Sequence, residues 1–170
     1  ANFAIDTNTL TVVSDHGGEA PGTTSADWGT PLSQYIVNSP VFNGASTQFV
    51  ANGGTVAGNT FTPVNATNVT LTLTNAATLT WLWDTNYMLT LATSGDGVVN
   101  AGTGWRISGS NVVVTATPSN NWHFMNWSGD LTGCGIGGNV ITAAMTQARS
   151  ITANFAIDTN TLTVVSDHGG

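Results

Sequence analysis

Few side chains in this 170-residue sequence have the types and spacing to carry a reaction. His16 follows Asp15 in a Gly-rich stretch. General-base catalysis needs a histidine held against a nucleophile and oriented by a third group. Neighbours at a strand end point apart, so this pair reads as a turn. His123, flanked by Trp122 and Phe124, reads as the solvent-facing member of an alternating strand. The acids Asp15, Glu19, Asp27, Asp84, Asp96, Asp130 and Asp158 are scattered, and no D-x-D-x-D-G loop occurs, which excludes an EF-hand. A calcium ion at a module junction, held by Asp84 or Asp158 with backbone carbonyls, competes with a plainer assignment. In that assignment Asp-Thr-Asn is a turn whose side chains cap their own backbone. Nothing singles out two carboxylates at glycosidase separation. The expectation is a protein that is not an enzyme, with no catalytic residue, no metal ligand and no cofactor.

Tryptophans are better candidates for binding. Trp28, Trp105 and Trp122 fall near turns or strand starts, where a flat ring could stack on a sugar. Core or module packing is the preferred assignment, and the matched placing of Trp28 and Trp105 favours a shared structural task. Two sequons, Asn65-Ala66-Thr67 and Asn68-Val69-Thr70, lead into a strand and could accept glycan, as could the Ser/Thr-rich surface. A third, Asn126-Trp127-Ser128, lies inside an expected strand and reads as silent. Cys134 is the single cysteine, so no disulfide forms within the sequence, and it reads as a small buried thiol. The absence of lysine rules out Lys–Asn isopeptide staples.

Charged residues make up 6% of the sequence, against about 25% in ordinary soluble domains. The net charge of −7 disfavours nucleic acid and anionic membrane as partners. No apolar run approaches the ~20 residues that span a bilayer. Gly, Thr, Asn, Ser and Val dominate, a palette of strands and turns.

The organising feature is a repeat. ANFAIDTNTLTVVSDHGG occupies Ala1–Gly18 and again Ala153–Gly170, an offset of 152 residues. The sequence therefore reads as one period of a tandem array and the start of the next. The period itself divides. Asp6-Thr7-Asn8, Asp84-Thr85-Asn86 and Asp158-Thr159-Asn160 each precede an alternating strand, and a Gly-rich turn follows the first two strands. Phe49–Gly54 aligns with Phe124–Gly129, and residues 71–83 with 143–155. Two diverged modules of about 76 residues result, divided as 1–6 (end of a preceding module), 7–84, 85–157 and 158–170 (start of the next).

Period-two alternation places strands near 9–14, 32–37, 47–51, 68–74 and 78–83, then 87–93, 104–108, 111–117, 122–127, 139–145 and 150–155. No sustained 3.6 period argues for a helix. The expected class is all-β: small antiparallel sandwiches or rolled sheets in a linear array. Leu79, Trp81 and Trp83 share one strand face and form the expected heart of module one. Ile151 and Phe155 take the Leu79 and Trp83 places in module two. Ala153 takes the Trp81 place, which makes Trp127 the candidate to fill that space. The link Ala156–Asn160 has no Gly or Pro and is no loose tether. Adjacent modules are expected to touch, and a strand shared across the boundary is one form of contact.

Module two also resembles a known family. LTLATSGDGVVN, VVVTATPSNNWHFMNWSGDLTG and ITAAMTQARSITANF are similar to the divergent internalin B-type B-repeat of bacterial surface proteins, most clearly over residues 87–155. Module one is a more distant relative, with Asn52-Gly53-Gly54 where the family carries WSGD. The resemblance implies an extracellular or cell-surface array and supplies no catalytic residue. Its internalin relatives pair a β-grasp sheet with a helix, for which this sequence has no counterpart. The expected function is a structural repeat of an extracellular filament, stalk or giant adhesin, whose partners are neighbouring copies of the same repeat. The alternative is a carbohydrate-binding array using exposed tryptophans, with glycans as partners.

Overall fold

The computed structural model describes residues 4–165; the second histidine of the duplicated segment, His168, lies outside the described residues. All regular elements among the described residues are strands. The first half contains β1 (Thr7–Val13), β2 (Glu19–Ala20), β3 (Thr24–Asp27), β4 (Thr30–Ile36), β5 (Val41–Asn43), β6 (Thr47–Ala57), β7 (Phe61–Asn65), β8 (Asn68–Leu73) and the long β9 (Ala77–Ser94). The second contains β10 (Gly97–Val99), β11 (Gly104–Ile107), β12 (Asn111–Pro118), β13 (Trp122–Gly129), β14 (Gly135–Gly137), β15 (Val140–Ala144) and β16 (Arg149–Ile157). Two compact units result. The first is residues 1–88 with Trp105–Ser108; the second is residues 89–104 with 109–170.

In the first unit, β1 pairs antiparallel with β3 and parallel with the start of β9, while β6 pairs antiparallel with β9 and with β5. A second, antiparallel sheet runs β2-β4-β8-β7. Between them lies an apolar core of Leu10, Val12, Ile36, Ala51, Val69, Leu71, Leu73, Ala77, Leu79 and Trp81. The burial of β1 alternates as the sequence pattern demands, with Leu10 and Val12 inward and Thr9 and Thr11 outward. In the second unit an antiparallel sheet runs β10-β12-β15-β14, β13 pairs antiparallel with β16, and β16 pairs parallel with the end of β9. Val114, Ala116, Trp127, Ile141, Ala143, Met145, Ile151, Ala153 and Phe155 are buried there.

The all-β class holds. Within otherwise antiparallel sheets, each unit has one parallel ladder, and it joins the unit's opening strand to its closing strand. The register is the same in both. Leu10 faces Ala77 and Val12 faces Leu79; Leu89 faces Arg149 and Leu91 faces Ile151. The two units thus share one pairing pattern, where the sequence shows only matching fragments.

Asp84-Thr85-Asn86 is not a turn. It lies in mid-strand in β9, where Asp84 pairs with Val50, Thr85 with Phe49 and Asn86 with Gln48. The backbone of β6 supplies the partners that a local cap would otherwise provide, so the two strands expected at 78–83 and 87–93 are one. The alignment of Phe49–Gly54 with Phe124–Gly129 also moves by two residues. Ala51 pairs with Trp83 and Phe124 with Phe155, so Ala51 and Phe124 are the equivalent positions. The shift is even and preserves which side chains face inward. Both strands carry an irregularity just beyond, at Ala51/Gly54 and at Phe124/Asn126.

The core of each unit is completed by one tryptophan, supplied from opposite strands. Trp81 of β9 lies opposite Gly54 of β6. In the second unit the large residue is on the other strand, Trp127 of β13, opposite Ala153 of β16. Trp81 is 2% and Trp127 6% exposed. Gly54 has no room for more: a Cβ there would sit 2.8 Å from Leu79 Cδ1 and 3.3 Å from the Trp81 ring. Trp83, expected in the same heart, is half-buried, and its indole Nε1–H donates to Ser14 Oγ at 3.1 Å.

This exchange of large and small residues predicts strong coupling. Trp127→Gly is expected to cost about 3–5 kcal/mol. Adding Ala153→Trp, which restores the arrangement of the first unit, is expected to recover at least about 1 kcal/mol. Urea unfolding followed by circular dichroism reads both, and additive single-site effects would refute the equivalence.

Candidate functional site

The three expected stacking tryptophans sit in three different settings. Trp28 occupies the turn between β3 and β4 and is 62% exposed. Its backbone N–H donates to Asp6 O at 2.8 Å, and Gly29 takes the positive φ of 85° that the turn requires. The backbone is thereby held while the ring faces solvent. Trp105, in β11, is half-buried and packs tilted against Phe42, with centroids 5.9 Å apart. Trp122 begins β13 and covers the turn after β9: a Cβ on Gly95 would lie 2.8 Å from Trp122 Cζ3. Trp105 and Trp122 thus use a ring face for packing, and only Trp28 presents most of its surface.

The sequon asparagines lie at one hairpin. Asn65 ends β7 and Asn68 begins β8. Asn65 is exposed, and its Oδ1 accepts from the Thr67 N–H at 2.8 Å and the Thr67 hydroxyl at 3.0 Å, an Asx-type turn. Asn68 is half-buried, with the Ser33 hydroxyl donating to its Oδ1 at 3.3 Å. Asn126 lies within β13, where its Oδ1 accepts from Asn154 Nδ2 at 2.7 Å.

The titratable groups do not converge. Among the described residues, no three His, Cys, Asp or Glu side chains come together where a metal ion could sit. Asp84 is half-buried in mid-strand, while Asp158 Oδ1 lies 2.8 Å from His123 Nδ1. Both members of that pair are about half exposed, so it contributes little to stability. The partner of His123 is 35 residues away, and no local signal announces it. His16 does lie in a turn, but its ring stacks on Phe49 at 3.7 Å and meets the edge of Trp83 at 5.6 Å. Gly17 closes over the same indole, since a Cβ there would reach Trp83 Cη2 at 2.8 Å. Cys134 is half-buried in the β13–β14 loop, its thiol 3.8 Å from Asp130 O, and is not the buried thiol expected. The segment turns twice at the surface, through Leu131 N–H to Gly129 O and Cys134 N–H to Leu131 O, and reaches no core.

Shallow grooves occur among the described residues. One, of about 490 Å³, lies on the β4-β8-β7 face of the first unit among Pro31, Leu32, Ser33, Phe61, Leu71 and threonines 60, 62, 70 and 72. Another, of about 450 Å³, lies on the second unit among Phe124, Met125, Asn126, Trp127, Ile136 and Gly138. Neither has a titratable side chain in its lining.

Two polar residues with structural weight escape the motif search. Gln34 is fully buried; its Nε2 donates to Gly22 O and its Oε1 accepts from Gly22 N–H, both at 3.1 Å. Arg149 is 3% exposed, and its guanidinium donates to Ala144 O at 2.7 Å, Asp130 O at 3.0 Å and Thr146 Oγ1 at 3.3 Å. Parity held the clue. Arg149 has the phase of the inward-facing Ile151, Ala153 and Phe155.

Residues 87–159 match the family model of the divergent InlB B-repeat domain. The resemblance seen in the TATP, WSGD and TANF strings is thereby shown for the second unit and its immediate flank. No curated protein and no solved structure matches the chain. No helix among the described residues is long and apolar enough to cross a membrane.

The contrast between the two kinds of residue is measurable. Trp28→Ala is expected to leave the urea midpoint within about 0.5 kcal/mol of the parent. Arg149→Leu, which removes the guanidinium's hydrogen bonds to Ala144 O, Asp130 O and Thr146 Oγ1, is expected to cost about 2–4 kcal/mol. A neutral Arg149→Leu would show that the clamp is dispensable.

Proposed function

We propose that the chain is a structural repeat unit of an extracellular filament, stalk or giant surface adhesin. It has no catalytic role, and its partners are neighbouring copies of the same repeat. One observation carries the reading. In each unit the opening and closing strands lie side by side and parallel. A parallel first-and-last pair brings the chain in at one end of a unit and sends it out at the other; an antiparallel pair would return it to the same end. Such a unit lengthens a structure each time it is repeated. The match to a B-repeat domain over residues 87–159 supports a place on a bacterial surface. The duplicated eighteen-residue string supports repetition, and the low charge favours a surface solvated by hydroxyls and amides. Glycan at Asn65 or Asn68 is compatible with this setting, since the hairpin that carries them presents Asn65 to solvent.

A second reading, carbohydrate binding, is favoured by the 62% exposure of Trp28 on a hydrogen-bonded turn. Ring stacking on a sugar needs such a presented face.

Electron micrographs of the native material separate the two. The structural reading expects threads with an axial repeat of about 60–80 Å, two strand-lengths of unit per period. Material without that repeat would remove it. For the binding reading, soluble glycans should quench tryptophan fluorescence, and Trp28→Ala should abolish the quench with the fold intact. An unchanged signal would leave the structural role alone.

A further inference from the structure

Two Asn-Gly pairs occur in the sequence, Asn43-Gly44 and Asn52-Gly53. Asparagine before glycine is chemically labile. With no side chain on the second residue, the glycine nitrogen can approach the asparagine side-chain carbonyl carbon and displace ammonia. The fold decides which glycine nitrogen is available to do so.

Asn52-Gly53 lies inside β6, at the irregularity between Ala51 and Gly54. Asn52 is exposed, but the Gly53 N–H donates to Ala66 O at 2.8 Å. That bond occupies the nucleophile and fixes the peptide plane between the two residues. Ala66 belongs to the turn between β7 and β8, so freeing the nitrogen means moving that turn away from β6.

Asn43-Gly44 is at the tip of the β5–β6 hairpin. Asn43 is the last residue of the three-residue β5, and its pairing with Thr47 is the final rung of the ladder. Gly44 opens the turn 44–46 with a φ of 65°, and a Cβ there would meet nothing within 4 Å. Residues 43–46 are all exposed. An end rung of a short, exposed strand opens at little cost.

We propose that Asn43 is a site of spontaneous deamidation in the folded protein and that the fold protects Asn52. The deprotonated Gly44 nitrogen attacks Asn43 Cγ. A C–N bond forms there, the Cγ–Nδ2 bond breaks, and ammonia leaves. Water then opens the resulting succinimide at either carbonyl, giving aspartate or isoaspartate, with water as the co-reactant. Both products place a new negative charge on the hairpin. Isoaspartate also routes the main chain through the side-chain carbons, which lengthens it and displaces the Asn43–Thr47 rung. The neighbouring Phe42 packs against Trp105, with centroids 5.9 Å apart, so the change falls beside a packed aromatic pair. The chemistry is independent of whether the chain is a repeat unit.

The test ages the full chain in mildly alkaline buffer and maps it by pepsin digestion and mass spectrometry. The peptide carrying Asn43 should gain the mass difference between NH2 and OH at least about tenfold faster than the peptide carrying Asn52, whose nitrogen must first give up its hydrogen bond. In concentrated urea, where no fold holds Gly53, the two rates should converge. Asn43→Gln, which needs a larger ring to react, should abolish the fast conversion and leave the urea midpoint unchanged. Equal rates in the folded chain, a difference that persists in urea, or an inert Asn43 would each overturn the assignment. The Val41 and Phe42 amides should exchange faster with solvent in the isoaspartyl form, and unchanged exchange would overturn the displaced rung.

Discussion

The rest of the structure depends on the parallel ladder that ties each unit's first strand to its last. Leu10 and Val12 meet Ala77 and Leu79 in the first unit, and Leu89 and Leu91 meet Arg149 and Ile151 in the second. Everything between those strands is a single excursion of the chain that must return before the ladder can form. Closing so long a loop costs entropy that only burial can offset, and pairings this distant in sequence make folding slow. The ladder therefore has to be largely apolar along one face: Leu10, Leu79, Leu89 and Ile151 are all fully buried, and Arg149 is the charged residue that shares that face. It also fixes where the chain leaves each unit, at the end opposite the one by which it enters.

Each unit is small, and its core tolerates little variation in shape. One tryptophan per unit, on the closing strand in the first and on its antiparallel neighbour in the second, completes the core, and the residue paired with it is reduced to Gly54 or Ala153 to admit it. Glycine does a related job at the next turn. Gly17 lies over Trp83, and Gly97 lies over Phe155, where a Cβ would come within 2.7 Å of three ring carbons. In both units a backbone without side chains roofs the closing strand's aromatic ring. Because interiors are close-packed, substitution of either member of such a pair is felt by the other.

Polar groups inside the units serve the backbone. Gln34 bridges the two backbone polar groups of Gly22, and Arg149 gathers the carbonyls of Asp130, in the loop before β14, and of Ala144, the last residue of β15. Loops of this kind have backbone groups with no strand to satisfy them, and a buried donor set is one solution. A buried arginine in a chain with only two basic residues is thus explained by its loops and not by a ligand.

The sequence by itself determined the strand class, the repeat and the facing of side chains. Alternation is local: Leu10 and Val12, or Ile151, Ala153 and Phe155, declare an inward face with no knowledge of the partner strand. It even made Trp127 the candidate to fill the space above Ala153, since a missing volume in one module is visible by comparison with the other. What sequence left open was decided by long-range pairing. The same Asp-Thr-Asn tripeptide is mid-strand at 84–86, where β6 offers its backbone, and lies beyond the strand end at 158–160, where Asn121 and His123 hold Asp158. The short strands β2, β3, β5, β7, β10 and β14 have too few residues to show a period and exist because a neighbour's edge is there to pair with. β1 itself is a core strand only because β3 and β9 lie alongside it, since a strand's hydrogen bonds, unlike a helix's, are all made with another segment.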